Sequence, residues 1–146
     1  LKITTRQNTV IEVEEKDQLF FKEGLVGFEE HQRFALYSID DEEPFVRLQN
    51  IEVAEVAFVL INPLLFVNDY DFEVDDDTID VTKVDTPEDV DLYVIVTVSS
   101  DPSKMTANPL APIVVNKNNG RARQMVLQGS SYSTRTAIFS SQSAEN

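Results

Sequence analysis

An all-β fold made of many short strands is what this sequence predicts, and three observations predict it. Apolar residues make up 42% of the 146 residues, with Val the commonest among them, a composition that suits a pleated surface better than a helix. Runs with alternating or continuous apolar character recur about every 8–15 residues, with Gly, Pro, Asn and Asp clusters between them. Helical periodicity is almost absent. A closed barrel and a tight sandwich both satisfy this pattern, and periodicity alone does not choose between them. The length suits one domain, expected over residues 1–139, whose core would bury roughly 68% of the unfolded surface. Residues 140–146 are small and polar and read as a flexible tail.

Taken in order, residues 10–14 and 19–21 read as short strands, with Glu12 and Glu14 pointing away from Ile11 and Val13. Gly24 and Gly27 bracket a turn, since each can supply a positive φ. One helical turn is expected at 28–34, then a strand over 34–39. The acid loop 40–43 leads through Pro44 into a strand at 45–50, where Val46 and Leu48 share a face opposite Phe45, Arg47 and Gln49. The run 56–61 is continuously apolar and too short for a typical helix, and Asn62 and Pro63 stop it, so it reads as a central strand. Residues 90–98 place Val90, Leu92, Val94, Val96 and Val98 on one face, the clearest strand in the chain. Asn119-Gly120, between two strand-like runs, predicts a hairpin with a type I′ turn.

Charge narrows the function classes. The net charge is −14, and it is unevenly placed. Residues 69–91 carry eleven acids against Lys83 alone, and residues 12–43 carry eleven against Lys16, Lys22 and Arg33. Residues 101–135 run the other way, with Asp101 against Lys104, Lys117, Arg121, Arg123 and Arg135. Such a field repels nucleic-acid phosphate and anionic lipid, so no direct nucleic-acid or membrane binding is expected; basic proteins are attracted instead. An acidic surface that only maintains solubility is the plainer reading of the same composition. Zero cysteines exclude a disulfide scaffold or a thiolate metal site and fit a reducing cytoplasm. No apolar stretch reaches membrane-spanning length, and the N-terminal residues have no apolar signal core.

The chemically unusual segment is 69–75. Asp69, Asp71, Glu73 and Asp75 alternate with Tyr70, Phe72 and Val74, so as a strand one face is apolar and the other carries four carboxylates. Neighbours on one face of a strand sit about 7 Å apart. Like charges at that spacing repel by about 0.6 kcal/mol per pair in water. The face therefore needs solvent, a cross-strand cation, a bound ion or a basic partner, and either a charge-blunted edge strand or a partner-binding edge meets that need. A calcium loop fits poorly, because Val74 stands where such a loop needs glycine. Asp76 and Asp77 continue the acid run into an expected loop. His31 is the sole histidine, so zinc and Ser-His-Asp chemistry have little to build on. No phosphate-binding glycine loop or nucleophile elbow appears, and no cofactor, metal or catalytic residue is assigned. Asn62, Asn108 and Asn116 each abut an apolar strand and read as turn-capping residues. Arg135 reads as the structural partner of an acid run.

The stretch Met105-Thr-Ala-Asn-Pro-Leu-Ala-Pro-Ile-Val-Val-Asn116, followed by a strand and by Ser131-Tyr-Ser-Thr-Arg135, resembles the signature of the FliW family of bacterial flagellar assembly factors. Further pieces fall in the same order: Phe21, Glu23 to Leu25 and Gly27 to Glu29; Arg33, Phe34 and Leu36; Ile61-Asn-Pro63; and Asp69-Tyr-Asp-Phe-Glu73. Val26 and Pro109 depart from the usual proline and leucine. The resemblance spans roughly residues 2–138 and implies a barrel-like antiparallel fold with at most one or two short helical turns. It also implies a non-enzymatic, cytoplasmic protein, monomeric alone, that binds flagellin. When released, such a protein binds the RNA-binding repressor CsrA away from its RNA surface and relieves repression of flagellin translation. On that reading Asp69, Asp71, Glu73, Asp75, Asp76 and Asp77 are expected to attract the CsrA-type repressor, and Leu25, Phe28, Asn108, Leu110 and Pro112 to line a groove for flagellin. A β-barrel module binding a small ligand is the alternative; it would show an apolar cavity with convergent polar groups.

Overall fold

The computed structural model describes residues 1–139; the expected tail at 140–146 lies outside the described residues. Eleven short strands appear: β1 (Lys2–Thr4), β2 (Val10–Glu12), β3 (Gln18–Phe21), β4 (Arg33–Ser38), β5 (Val46–Asn50), β6 (Ala57–Ile61), β7 (Val90–Thr97), β8 (Thr106–Ala107), β9 (Ile113–Asn116), β10 (Arg121–Gln124) and β11 (Thr136–Ala137). Strands β7-β6-β5-β4-β3-β10-β9 pair in that order, and β9 returns to β7, closing a seven-stranded barrel. Every pairing in the ring is antiparallel except β3 with β10, which is parallel. Closure leaves the ring without an edge strand.

The register decides which side chains fill the interior. Leu19, Phe21, Phe34, Leu48, Leu60, Ile113, Val115 and Ala122 form the main cluster, with Tyr93 and Ile95 packed against it. Phe21 meets Phe34 edge to face at 5.4 Å. Burying each such side chain contributes about 1.5–3 kcal/mol. Leu60 pairs with Ile95, whereas Ile61 pairs with Val94 and belongs to a second cluster with Val96, Ala107 and Ile138. The valine face of β7 is therefore its outer face. Val94 and Val96 on it are covered by Ala107 of β8, Ile138 just after β11 and Phe66 of the β6–β7 connection, whereas Val98 is exposed. A third cluster, Ile3, Val13 and Ala35, seats the β1–β2 hairpin on the barrel wall.

Several local expectations change. Residues 69–75 form no strand; Asp69 sits in a turn at φ 54°, and 70–75 have no regular secondary structure. The alternation is real as burial, since Tyr70 is buried and Phe72 and Val74 half-buried while the four acids are exposed. However, β7 already has β6 on one side and β9 and β8 on the other, so the segment pairs with neither. Asp76 and Asp77 are helical, not looped: they open α1 (Asp76–Thr82), and Asp75 is its N-cap, its Oδ1 accepting from the Thr78 amide at 2.8 Å. Acids in a first helical turn complement the positive end of the helix dipole. Residues 28–32 contain turns and no helix. The β9–β10 hairpin forms, but through residues 117–120, with Gly120 alone at positive φ, so it is not type I′. Gly120 is required there because a Cβ would lie 2.7 Å from the Gln18 carbonyl oxygen.

Candidate functional site

The β6–β7 connection builds the first candidate surface. Asn62 caps a 3-10 turn at Pro63–Leu65 by accepting from the Leu64 amide, which leaves Leu64 and Leu65 exposed. The chain then passes along the barrel wall. Tyr70 is drawn inward by its ring, which packs on Phe72 and Tyr132 at 5.6 and 4.9 Å, and its hydroxyl donates to the Pro109 carbonyl at 2.6 Å. Burial pushes the Tyr70 phenol far above its ordinary value, with Tyr132 adding to the shift, so it stays a neutral donor. The Tyr132 hydroxyl accepts from the Asp71 amide at 2.8 Å and fixes the backbone between the acids. Arg123 on β10 anchors the far end, reaching Glu23 at 2.8 Å, the Thr78 hydroxyl at 2.8 Å and Asp75 at 3.5 Å. Partial burial raises the Asp75 carboxyl, but the Thr78 hydroxyl and amide and the charge of Arg123 outweigh it, and the net shift is downward.

Between this segment and the outer face of β7 lies an open groove of about 520 Å³. Leu64, Tyr70, Phe72, Ile79 and Leu92 supply apolar wall, and Asp71 and Asp85 stand in its lining. Among the described residues, Asp69, Asp71, Glu73, Asp76 and Asp77 form no ion pair, so the carboxylates beside the groove face solvent uncompensated. No group of three or more His, Asp or Glu there is arranged to hold a metal ion among the described residues. The arrangement offers apolar contact surface bordered by negative charge, the chemistry of protein docking.

A second groove, of about 540 Å³, is lined by Val26 from the glycine turn, Ile95 and Thr97 of β7, Asn108, Leu110 and Ala111, Gln124 of β10, and Val126. Its charged lining residue is Arg135. Asn108 shapes it, its Oδ1 accepting from the Leu110 amide at 3.0 Å.

A family model described as FliW protein matches residues 2–138. The chain belongs to the FliW family. It is 35% identical over 136 residues to the flagellar assembly factor FliW of Bacillus licheniformis, covering 93% of this chain and 95% of that relative. It is 40% identical over 139 residues to the FliW of Syntrophus aciditrophicus, covering 95% and 88%. A crystal structure of the flagellar assembly factor FliW superposes with a TM-score of 0.89 at 35% identity, over 96% of this chain and 98% of the other. The closed, mostly β architecture is thus that of solved FliW.

On this FliW-family scaffold the residues singled out from sequence separate. Asp71 lines the first groove and Asp69 and Glu73 are exposed on either side of it in the chain, while Asp75 caps the neighbouring helix that Asp76 and Asp77 open. Asn108 and Leu110 meet in the second groove. Leu25 does not, because at 1% exposure it is a core residue; Pro112 is likewise buried, and both expectations of direct partner contact are corrected. Phe28 packs edge to face on Phe58 at 5.0 Å and does not line the second groove. Arg135 is exposed and pairs with no acid among the described residues, so its expected ion pair is withdrawn. Leu64, Ile79 and Val126 were not identified from sequence. Scattered apolar residues in connections carry no periodic signal, and only the fold gathers them.

Proposed function

We propose that this chain is a non-enzymatic flagellar assembly factor that acts by exchanging two protein partners. It binds cytoplasmic flagellin, and when released it binds a CsrA-type RNA-binding repressor away from the RNA surface, relieving repression of flagellin translation. The observation that carries the reading is an open apolar groove bordered by uncompensated carboxylates, on a chain with a net charge of −14. A basic RNA-binding protein is steered toward such a surface, and apolar contact then holds it. The second groove, less acidic and lined by Val26, Asn108, Leu110 and Val126, suits the apolar helical faces of flagellin.

The test is association kinetics. Asp71→Lys with Glu73→Lys should slow association with the repressor by about tenfold, and raised salt should slow the wild type likewise. On-rates unchanged in both measurements would remove the electrostatic role of this segment.

A further inference from the structure

One side chain of the first groove is bonded to the backbone beside the second. Tyr70 lines the first groove, and its hydroxyl is bonded to the carbonyl of Pro109, whose chain neighbours Asn108 and Leu110 line the second. Tyr70 is only 7% exposed, and its ring is wedged between Phe72 and Tyr132. With two side-chain torsions and packing on both sides, the ring has little freedom to turn in place. The residues beside Pro109 have ties of their own. The Asn108 amide donates to the Ile95 carbonyl at 3.3 Å, the Leu110 amide to Asn108 Oδ1 at 3.0 Å and the Ala111 amide to the Asn108 carbonyl at 3.3 Å. The Leu127 amide donates to the Leu110 carbonyl at 2.8 Å, and the Gln124 side-chain amide to the Ala111 carbonyl at 3.3 Å. The Pro109 carbonyl itself is held by the Tyr70 hydroxyl. A partner side chain seated among Leu64, Tyr70 and Phe72 displaces the ring, and the hydroxyl then either drags the Pro109 carbonyl or loses its buried acceptor.

We propose that Tyr70 is a positioning residue that couples the two docking grooves, so that filling the acid-bordered groove reshapes the second and weakens its occupant. This rests on the two-partner reading above and supplies a route for exchange that needs no overlap of the partners. The coupling is reciprocal: each partner weakens the other by the same factor.

Titration calorimetry tests it, using purified flagellin and the CsrA-type repressor, each alone and each with the other at saturation. In the wild type, saturating repressor should weaken flagellin binding by about five- to twentyfold. In Tyr70→Phe that ratio should fall below about twofold, whatever the affinities for the partners alone, whereas Tyr132→Phe, which leaves the Pro109 bond in place, should retain it. A wild-type ratio of one, or an undiminished ratio in Tyr70→Phe, overturns the proposal. If one partner fails to bind the wild type, the two-partner reading falls, and the positioning role is then judged on the protein alone. Amide hydrogen exchange at Leu110, Ala111 and Leu127 should accelerate about tenfold in Tyr70→Phe while the β4–β5 amides keep their protection. Unchanged exchange there overturns it equally.

Discussion

Replacing Asp75 separates the helix-capping role found in the structure from a general role in surface charge. Its Oδ1 accepts from the Thr78 amide at 2.8 Å and lies 3.5 Å from an Arg123 guanidinium nitrogen. Asp75→Ala removes the cap, which costs about 1 kcal/mol. It also removes a charge that interacts with the helix dipole and with Arg123. The carboxylate is 52% exposed, so screening holds that part to a few tenths of a kcal/mol. The total is about 1–2 kcal/mol, and at roughly 3 °C per kcal/mol for a chain of this size Tm should fall by roughly 3–6 °C. Asp75→Asn keeps an acceptor oxygen and loses only the charge, so its Tm should fall by no more than about 2 °C. Thermal unfolding followed by circular dichroism at pH 7 measures both. The folded carboxyl titrates below its ordinary value of 3.8, so the unfolded chain binds the proton first as pH drops. The charge-dependent stability is therefore complete above that value and is lost as pH falls through the folded one. The gap between wild type and Asp75→Asn should close over the same range. An Asp75→Ala protein as stable as wild type, or an Asn variant as damaged as the Ala variant, would refute the capping argument.

Two further substitutions probe the scaffold. Gly24→Ala places a Cβ 2.6 Å from the Phe28 carbonyl oxygen at φ +68°, so it should cost more than about 2 kcal/mol in urea unfolding; Gly27→Ala, at φ +85° with nothing within 4 Å, should cost only about 1 kcal/mol. Asn50 is fully buried, donates to the Arg33 carbonyl at 3.1 Å and accepts from the Glu52 and Val53 amides at 2.9 and 2.8 Å. Asn50→Ala leaves those amides without their acceptor and should lower stability by about 2–4 kcal/mol, and a urea midpoint within error of wild type would contradict this.

Legibility in the sequence followed the physics of each segment. The strands at 18–21, 46–50, 57–61 and 90–97 could be read because a pleated chain with one buried face must alternate, and a chain buried on both faces must be continuously apolar. Asn62 and Pro63 stopped β6 as read, and their local reason is visible in the Asn62 cap. Helix α1 was missed because its buried stripe is Thr78, Val81 and Thr82, two of them polar, so no apolar period betrays it. Gln49 read as lying on the face opposite Val46 and Leu48; it is nonetheless buried, its amide donating to the Ala54 carbonyl at 3.0 Å and its oxygen accepting from the Arg6 amide at 2.9 Å.

Residue order alone determined the all-β class, the turn at Gly24 and the clustering of unpaired acids near residue 71, because alternation, backbone freedom and charge are properties of short stretches. Three things waited for tertiary structure. The parallel β3–β10 contact joins the two runs of strands and the β7–β9 pairing closes the ring, which leaves the valine face of β7 on the outside. The occupied sides of β7 keep residues 69–75 from pairing as a strand. The bond from Tyr70 to Pro109 spans 39 positions of chain. Each depends on which distant segments meet, and local patterning carries no record of that.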